Sequence, residues 1–283
     1  MLQSCSVFAE MAEWDNIKSL AAGNELPPAI IIAEPMQIAF LDGFYGQKES
    51  LAFVFHGGTA IRMLYGGYRY SEDLDFCVPD EKSLSLLDNL VTKAYQHAKE
   101  LIAVYLGVME TELRKQVGRK KIATWWFNVM PPDERRKYRV KIEFGSYPVY
   151  TKKTLPVKNI NKFLPKQPLV ISTGPDELLA DKINALADRP YTKERDFFDI
   201  WFLTTVLKVS PDIALIKKKM KDYRVNNAKA VLEKRILELD AERLAENMTN
   251  FLPIQHRRML SVNGYGELID SCRKVMTYVL QHL

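Results

Sequence analysis

Residues 53–77, the most informative stretch of the chain, read FVFHGGTAIRMLYGGYRYSEDLDFC. The first apolar run predicts a buried strand, the Gly57-Gly58 pair allows a tight turn before a short helix, and a second strand carries Asp73 and Asp75. Side chains alternate along a strand, so both aspartates point to one face. Two like charges on one face need a cation between them. Mg2+ is the natural candidate, since it is typically held by one or two carboxylates together with substrate phosphates. The stretch therefore predicts the kind of metal site that nucleotide transfer requires.

Length and composition indicate an ordinary soluble protein. The chain has 283 residues, enough for one large domain or two of usual size. Its apolar fraction of 47% supports a sizeable core. It contains no apolar stretch near the roughly 20 residues that cross a bilayer, and its start lacks the pattern of a signal peptide. Three scattered cysteines do not suggest a disulfide framework or a zinc site. We therefore expect a cytoplasmic protein that has no membrane partner.

Positive charge is concentrated between Glu112 and Lys166. This segment holds fifteen Lys or Arg residues against four Asp or Glu, whereas the whole chain carries a net charge of only +5, so the remainder is acidic. A basic block in an otherwise acidic protein indicates a polyanionic partner, with nucleic acid first among the candidates. A solvated, lysine-rich surface would show the same clustering, so the charge alone leaves both interpretations open.

The periodicity of the chain predicts two halves. The first combines N-terminal helices, up to about residue 50, with strands and further helices, and the second is all helical from residue 176. Residues 148–170 are rich in Pro and Lys, and we expect a loop or linker there. We therefore predict an α+β protein with an α/β domain over residues 1–173 and a helical C-terminal domain over residues 174–283. The segments behind this prediction are strands at 51–55, 73–78, 122–129 and 138–144, and helices at 59–65, 80–106, 176–188, 193–207, 211–223, 226–238, 240–250 and 264–281.

Three more side chains are candidates for the same site. Glu143 lies on the polar face of its predicted strand, where it would serve as a third metal-binding carboxylate or pair with Lys141 or Arg139. Lys182 stands among leucines of a predicted helix, where it would reach triphosphate oxygens or remain an ordinary surface lysine. Asp199 follows Arg195 by four residues on one helix face, a spacing that also fits a simple salt bridge.

Five blocks of the chain together form a recognisable pattern. They are Gly57-Gly58-Thr59-Ala60, Arg69-x-Ser71-x-Asp73-Leu74-Asp75, Lys141-x-Glu143, Glu177-x4-Lys182 and Arg195-Asp196-x-x-Asp199. Across about residues 50–205 this pattern resembles the AbiEii/AbiGii group, which includes the mycobacterial MenT toxins. These proteins are nucleotidyltransferase toxins of bacterial abortive-infection and type IV toxin–antitoxin systems. The first block is highly specific, and the later blocks follow in the right order.

The resemblance implies a fold and a set of site residues. The fold is a DNA polymerase beta-like nucleotidyltransferase core, a mixed sheet flanked by helices. Asp73 and Asp75 would bind Mg2+ or Mn2+ with Glu143 as the third carboxylate, Lys182 would contact the triphosphate, and Asp199 would be required for activity. These five residues would form the catalytic set. The nucleotide-binding residues would be Gly57, Gly58, Thr59, Arg69, Ser71 and Lys182.

One position departs from the wider superfamily. Many of its members carry Gly-Ser where this chain has Gly57-Gly58. The hydroxyl group that the serine provides would here have to come from Thr59 or Ser71.

The same resemblance implies substrates and partners. Family members transfer a nucleotide from a nucleoside triphosphate (NTP), in the studied cases to the 3′ acceptor end of tRNA, which inhibits translation and growth. A separately encoded antitoxin neutralises them. We expect the basic segment 112–166 to hold the tRNA. Trp125, Trp126 and Phe127 within it would either stack on bases or pack inside the protein.

Two alternatives remain open on the residues alone. The nucleotide, or a phosphate, could be transferred to a protein hydroxyl group instead of RNA, although the basic block argues against this. The chain could also be a non-catalytic module that binds nucleotide or RNA. The retention of Asp73, Asp75 and Lys182 argues against a decayed site of this kind.

Overall fold

The computed structural model describes residues 12–107, 110–119, 122–131, 134–158 and 160–283, which form two compact units. The first unit runs to Ser172 apart from one short interruption, Gly67–Arg69. The second unit contains these three residues together with Thr173–Leu283. The sequence did not predict this interruption. The loop Gly67–Arg69 groups with residues that come far later in the chain, and local sequence patterns do not reveal such contacts.

The first unit is built on a mixed sheet that has seven strands within the described residues. They are β1 (Val54–His56), β2 (Asp73–Cys77), β3 (Glu110–Arg119), β4 (Ile122–Met130), β5 (Tyr138–Gly145), β6 (Lys153–Pro156) and β7 (Leu169–Ser172). Their order across the sheet is β3-β4-β5-β2-β1-β7-β6. β2 runs parallel to β5 and β1 runs parallel to β7, whereas the other neighbours are antiparallel. This architecture confirms the expected α+β class.

Several strands correct the sequence-based prediction. β3 was not predicted from sequence, because its residues carry charge on both faces. This pattern suits the position of β3 at the edge of the sheet. β6 and β7 fall in or next to residues 148–170, so the predicted linker is partly sheet. Residues 48–52 form a 3-10 helix, and the first strand therefore begins at Val54 rather than at residue 51.

Four helices of the described part accompany this sheet: α1 (Ala12–Gly23), α2 (Pro28–Tyr45), α3 (Gly57–Tyr65) and α4 (Leu87–Tyr105). Residues 1–11 of the predicted N-terminal helices lie outside the described residues. α2 is apolar on nearly all sides and almost wholly buried, as a core helix should be. Its Phe44 packs on Phe76 of β2 and Phe144 of β5, with ring centroids 5.1 and 5.5 Å apart. The aromatic core thus covers one face of these strands, and their polar side chains lie on the other.

The second unit is helical. Its described elements are α5 (Pro175–Asp188), α6 (Glu194–Trp201), a π-helical turn (Phe202–Val206), α7 (Ile213–Asp222), α8 (Ala228–Leu237), α9 (Ala241–Met248) and α10 (Ile254–His282). α10 begins directly after Pro253, well before the predicted start at residue 264, and it continues through Gly264 and Gly266. Across both units, none of the helices in the described ranges is long and apolar enough to cross a membrane.

A buried lysine connects two helices of this unit. Lys219 of α7 is fully buried, and its Nζ lies 2.6 Å from Glu177 Oε1 and 2.9 Å from Asp181 Oδ1 on α5. Burial lowers the pKa of Lys219, but the two carboxylates outweigh this effect and raise it. Lys217 and Lys218 are exposed. The three consecutive lysines, residues 217–219, therefore do not form a continuous basic surface.

Candidate functional site

The polar face of the sheet carries the aspartate pair. Asp73 and Asp75 are partly exposed on β2, whereas the apolar residues that alternate with them are buried. The parallel strand β5 places Lys141 opposite Asp73 and Glu143 opposite Asp75. Because directly paired residues of a sheet lie on the same side, these four polar side chains share one face. Three of the carboxylates predicted as site residues, those of Asp73, Asp75 and Glu143, thus lie together on the neighbouring strands β2 and β5.

A glycine leaves room for Asp75. The chain turns from β1 into α3 at Gly57, which has a left-handed φ of +83°, a conformation that residues with a side chain rarely adopt. A Cβ atom at this position would stand 2.6 Å from Asp75 Oδ2. The backbone at the start of α3 therefore comes closer to the carboxylate than a residue with a side chain would allow.

The two hydroxyl groups considered for the nucleotide have different surroundings. Thr59 is buried in the first turn of α3, and its Oγ1 donates a hydrogen bond to the backbone carbonyl of Asp73. This hydroxyl therefore fixes the start of β2. Ser71 is partly exposed, and its backbone carbonyl accepts a hydrogen bond from Gln37 Nε2 at 3.0 Å. Of the two, Ser71 is the better placed to reach a ligand.

Glu143 is engaged by Lys141 on the same strand. Lys141 Nζ lies 2.6 Å from Glu143 Oε2. Burial lowers the pKa of Lys141, but the hydrogen bond and charge of Glu143, joined by the charges of Asp73 and Asp75, raise it overall. The raised pKa reflects the negative charge of this face, which suits a cation.

The donor set fits Mg2+ only in part. Two carboxylates that share a face, with water and phosphate oxygens completing the coordination, match the usual requirement of this ion. Within the described ranges, however, no three His, Cys, Asp or Glu side chains are grouped so that they could hold a metal ion. Asp73 and Asp75 thus fit as ligands. Glu143 would join them only if its side chain left Lys141.

Asp199 lies at the centre of a buried network in the second unit. Arg69 donates two hydrogen bonds to it, from Nε to Oδ1 at 2.6 Å and from Nη2 to Oδ2 at 2.5 Å. Lys182 Nζ lies 2.7 Å from Asp199 Oδ2. Burial raises the pKa of Asp199, but the charges of Arg69 and Lys182 outweigh it and hold the pKa below its usual value. Asp199 is therefore ionised, with Arg69 and Lys182 as its partners.

A second aspartate holds the same lysine. Lys182 Nζ donates to Asp196 Oδ1 at 3.0 Å, and Arg189 also donates to Asp196. Burial lowers the pKa of Lys182, but Asp196 and Asp199 raise it above the usual value. Lys182 therefore stays positively charged although its side chain is only 12% exposed. Three cations and two carboxylates give these five side chains a net positive charge, which suits an anionic ligand.

Sequence reasoning missed part of this network. Asp196 belongs to the last of the five sequence blocks without a predicted role, and no sequence pattern indicates Arg189. Arg195, which the spacing paired with Asp199, lies with its guanidinium 4.4 Å from the ring centre of Phe251. Tyr68, next to Arg69, stacks on His256 at 4.5 Å. The loop residues Tyr68 and Arg69 are thus both anchored on helices of the second unit.

A second network precedes the aspartate strand. Arg62 of α3 and Glu34 of α2 are both buried and lie 2.7 Å apart, and the Arg62 guanidinium covers the ring of Tyr70 at 3.7 Å. Asn161 donates to Glu34 and to the Tyr70 hydroxyl. These contacts anchor the chain shortly before Asp73. A lone glutamate in an apolar helix was the signal that could have revealed the network, because a buried carboxylate needs partners.

The aromatic run in the basic segment is divided between two faces of the sheet. Trp125 and Phe127 are buried in the core, whereas Trp126 is partly exposed on the polar face of β4. Only Trp126 thus remains a candidate for contact with bases. Lys120 and Lys121 of the basic segment lie outside the described residues.

Two solved structures from Helicobacter pylori share the fold. JHP933 aligns with a TM-score of 0.53 and 14% identity over 90% of this chain and 94% of its own. A proposed nucleotidyltransferase aligns with a TM-score of 0.55 and 14% identity over 90% of this chain and 96% of its own. At this identity the likeness concerns the fold alone.

The sequence itself identifies the family. No curated protein matches the chain significantly. The sequence model of a family described as "Nucleotidyl transferase AbiEii toxin, Type IV TA system" matches residues 39–269. The match includes most of the helical unit, where the motifs alone showed no similarity beyond about residue 210. Because the matched region spans most of the chain, this protein belongs to the AbiEii family of nucleotidyl transferase toxins from type IV toxin–antitoxin systems.

Proposed function

We propose that this toxin transfers a nucleotide from an NTP to the 3′ acceptor end of tRNA in a Mg2+-dependent reaction and thereby inhibits translation. The observation that carries the proposal is the Asp73–Asp75 pair on the polar sheet face, with the Gly57 backbone close against Asp75. This arrangement puts the first amides of a helix, which favour phosphate, next to carboxylates that favour a divalent cation. Membership of the family supports nucleotidyl transfer.

The first unit would bind the metal ion and the phosphates. Asp73 and Asp75 would hold the ion, with Glu143 as an additional ligand. When bound, Mg2+ would supply charge neutralisation at the phosphate oxygens and would lower the pKa of the attacking hydroxyl group. The backbone amides of residues 57–59 would donate hydrogen bonds to phosphate, and the Ser71 hydroxyl would donate to the nucleotide.

The second unit would supply positive charge. Lys182 is held protonated by Asp196 and Asp199, and we propose that it and Arg69 neutralise the triphosphate and the leaving pyrophosphate. Asp199 would act as a positioning residue, because its contacts hold Arg69 and Lys182 in place. Such preorganised charge stabilises a transition state without reorganisation during the reaction.

The family also indicates the toxin's surroundings. A type IV toxin is expected to have a cognate antitoxin, encoded separately. The proposed substrates, tRNA and NTP, would place its action in the cytoplasm. The basic segment 112–166 would provide the phosphate contacts that hold tRNA, so binding should weaken steeply with salt concentration.

The test is a transfer assay with each donor in turn. Purified protein is incubated with total tRNA, Mg2+ and one α-labelled NTP at a time, and parallel samples contain EDTA. We expect label in RNA with at least one donor and none with EDTA. Periodate-oxidised tRNA, which lacks the 3′ diol, is the matched control and should remain unlabelled. Label in protein would move the acceptor to a polypeptide, and no transfer with any donor would leave a nucleotide- or RNA-binding module.

Gly57→Ala is expected to lower transfer activity by about 10- to 100-fold, because misplacing a catalytic group by about 1 Å has effects of this size. The added Cβ would stand 2.6 Å from Asp75 Oδ2, so the aspartate or the start of α3 must shift. The left-handed backbone should also reduce the free energy of unfolding by about 1–2 kcal/mol. Transfer rates and urea unfolding curves measure the two effects.

Gly23→Ala is the control for this substitution. A Cβ at Gly23 meets no heavy atom within 4 Å, so we expect nearly unchanged activity and stability. If Gly57→Ala behaved like Gly23→Ala, the close approach to Asp75 would have no functional role.

A further inference from the structure

The polar sheet face continues from the aspartates to an aromatic and basic surface. Strand pairing places Asp73 opposite Lys141, Lys141 opposite Trp126, and Trp126 opposite Arg114. These four residues form one row across β2, β5, β4 and β3, on the same side of the sheet. Neighbouring strands are about 4.8 Å apart, so the backbone of Trp126 lies about 10 Å along the row from that of Asp73.

The indole ring of Trp126 is held by two neighbours. Its Nε1 donates a hydrogen bond to Gln116 Oε1 at 3.0 Å. The Arg139 guanidinium lies 4.8 Å from the ring centre. The ring is partly exposed, although the aromatic residues on either side of it in the chain are buried. An oriented, accessible aromatic ring beside arginine is the arrangement on which proteins stack nucleobases.

The ring borders a cavity of about 420 Å³ on this face. Among the described residues that line it, four cations (Arg114, Lys115, Lys137 and Arg139) stand against one carboxylate, Glu112. Glu112 itself is paired with Lys137 at 3.0 Å. The cavity is therefore net positive, and a nucleic-acid backbone complements its charge.

We propose that this aromatic–basic face, formed by Arg114, Gln116, Trp126 and Arg139, binds the single-stranded 3′ end of the acceptor RNA. A base would stack on Trp126, and phosphates would contact Arg114 and Arg139. The row of side chains would then lead the strand toward Asp73. A single strand fits better than a duplex, because only an unpaired, unstacked base can present its face to a protein ring. This inference rests on the proposed function, since it requires an RNA acceptor.

The test measures binding of a short single-stranded RNA with the sequence of a tRNA 3′ end. Trp126→Ala should weaken this binding by about 10- to 100-fold, the effect of removing one base–aromatic stack, whereas Trp126→Phe should retain most of the affinity. Arg114→Ala should reduce the salt dependence of the affinity by about 0.7 in a log–log plot, as expected for the loss of one phosphate contact. Lys217→Ala, which removes an exposed lysine of α7, is the control and should leave binding nearly unchanged.

The outcomes separate this inference from the proposed function. If the wild-type protein labels tRNA while Trp126→Ala and Arg114→Ala bind and label RNA normally, the docking face is wrong and the function stands. If no RNA is labelled but oligonucleotide binding still depends on both residues, the face binds single-stranded RNA, and the proposed function, with the acceptor role of that RNA, is wrong. If Trp126→Phe loses as much affinity as Trp126→Ala, or if duplex RNA binds as tightly as single-stranded RNA, the stacking assignment is overturned.

Discussion

Asp75→Asn is expected to lower the rate of nucleotide transfer by at least about 10³-fold while leaving the fold intact. An amide has almost the same shape as a carboxylate, so the close packing against Gly57 need not change. The substitution removes one of the two negative charges proposed to hold the cation, and Mg2+ depends on carboxylate ligands of this kind. The measurement is label transfer into tRNA at saturating Mg2+, with urea unfolding as the check on folding.

Asp88→Asn is the matched control for this substitution. Asp88 is a surface aspartate of the same unit, 61% exposed and 2.7 Å from Lys115. Exposed ion pairs contribute little to stability, so the control should transfer nucleotide at the wild-type rate. If Asp75→Asn transfers nucleotide at a rate within about tenfold of wild type, the metal site lies elsewhere. A tenfold difference in rate corresponds to a change of only about 1.4 kcal/mol in the activation barrier.

Asp199→Asn is expected to destabilise the second unit by about 3–5 kcal/mol, the range observed when one partner of a buried ion pair is removed. Asp199 is 1% exposed and Arg69 is 5% exposed, so water cannot replace the missing charge. Activity should be lost with the structure. Urea unfolding, followed by circular dichroism of this helical unit, measures the loss.

Asp270→Asn is the control for this substitution. The Asp270 carboxylate is 67% exposed and lies 3.6 Å from Arg273, so its loss should change the free energy of unfolding by no more than about 0.5 kcal/mol.

A double substitution separates the structural role of Asp199 from its role in the reaction. Arg69→Met combined with Asp199→Leu replaces the buried pair by apolar side chains, a change that is often neutral or stabilising. We expect stability to recover relative to Asp199→Asn while transfer remains impaired, because Arg69 is gone and Lys182 keeps only Asp196 of its two aspartates. If transfer recovers together with stability, Arg69 and Asp199 serve the fold alone.

Local patterns were sufficient to predict the aspartate strand. The alternation of Asp73, Leu74, Asp75 and Phe76 predicted one polar and one buried face, and the structure has both. The Gly57-Gly58 pair predicted a turn into a helix, and α3 begins there. Both predictions depend only on residues that are neighbours in the chain. Their contacts are set by strand and helix geometry.

Contacts between distant residues could not be predicted in this way. Arg69 and Asp199 are 130 positions apart, and no periodicity connects them. The edge strand β3 carries charges on both faces, so its sequence lacks the apolar alternation that identifies half-buried strands. The register that aligns Asp73 with Trp126 also depends on the pairing of β2, β5 and β4, which separate segments of sequence do not reveal.

The loop residues Gly67–Arg69 limit the modularity of this toxin. A polypeptide truncated after Ser172 would contain every described strand, but Arg69 would lose Asp199, and Tyr68 would lose the rings of Trp201 and His256. The damage would fall on the loop that leads directly into the aspartate strand. Recombination or proteolysis that separated the two halves would thus yield an impaired sheet fragment rather than an autonomous enzyme. Truncations and fusions of this protein should therefore avoid the boundary between its two units.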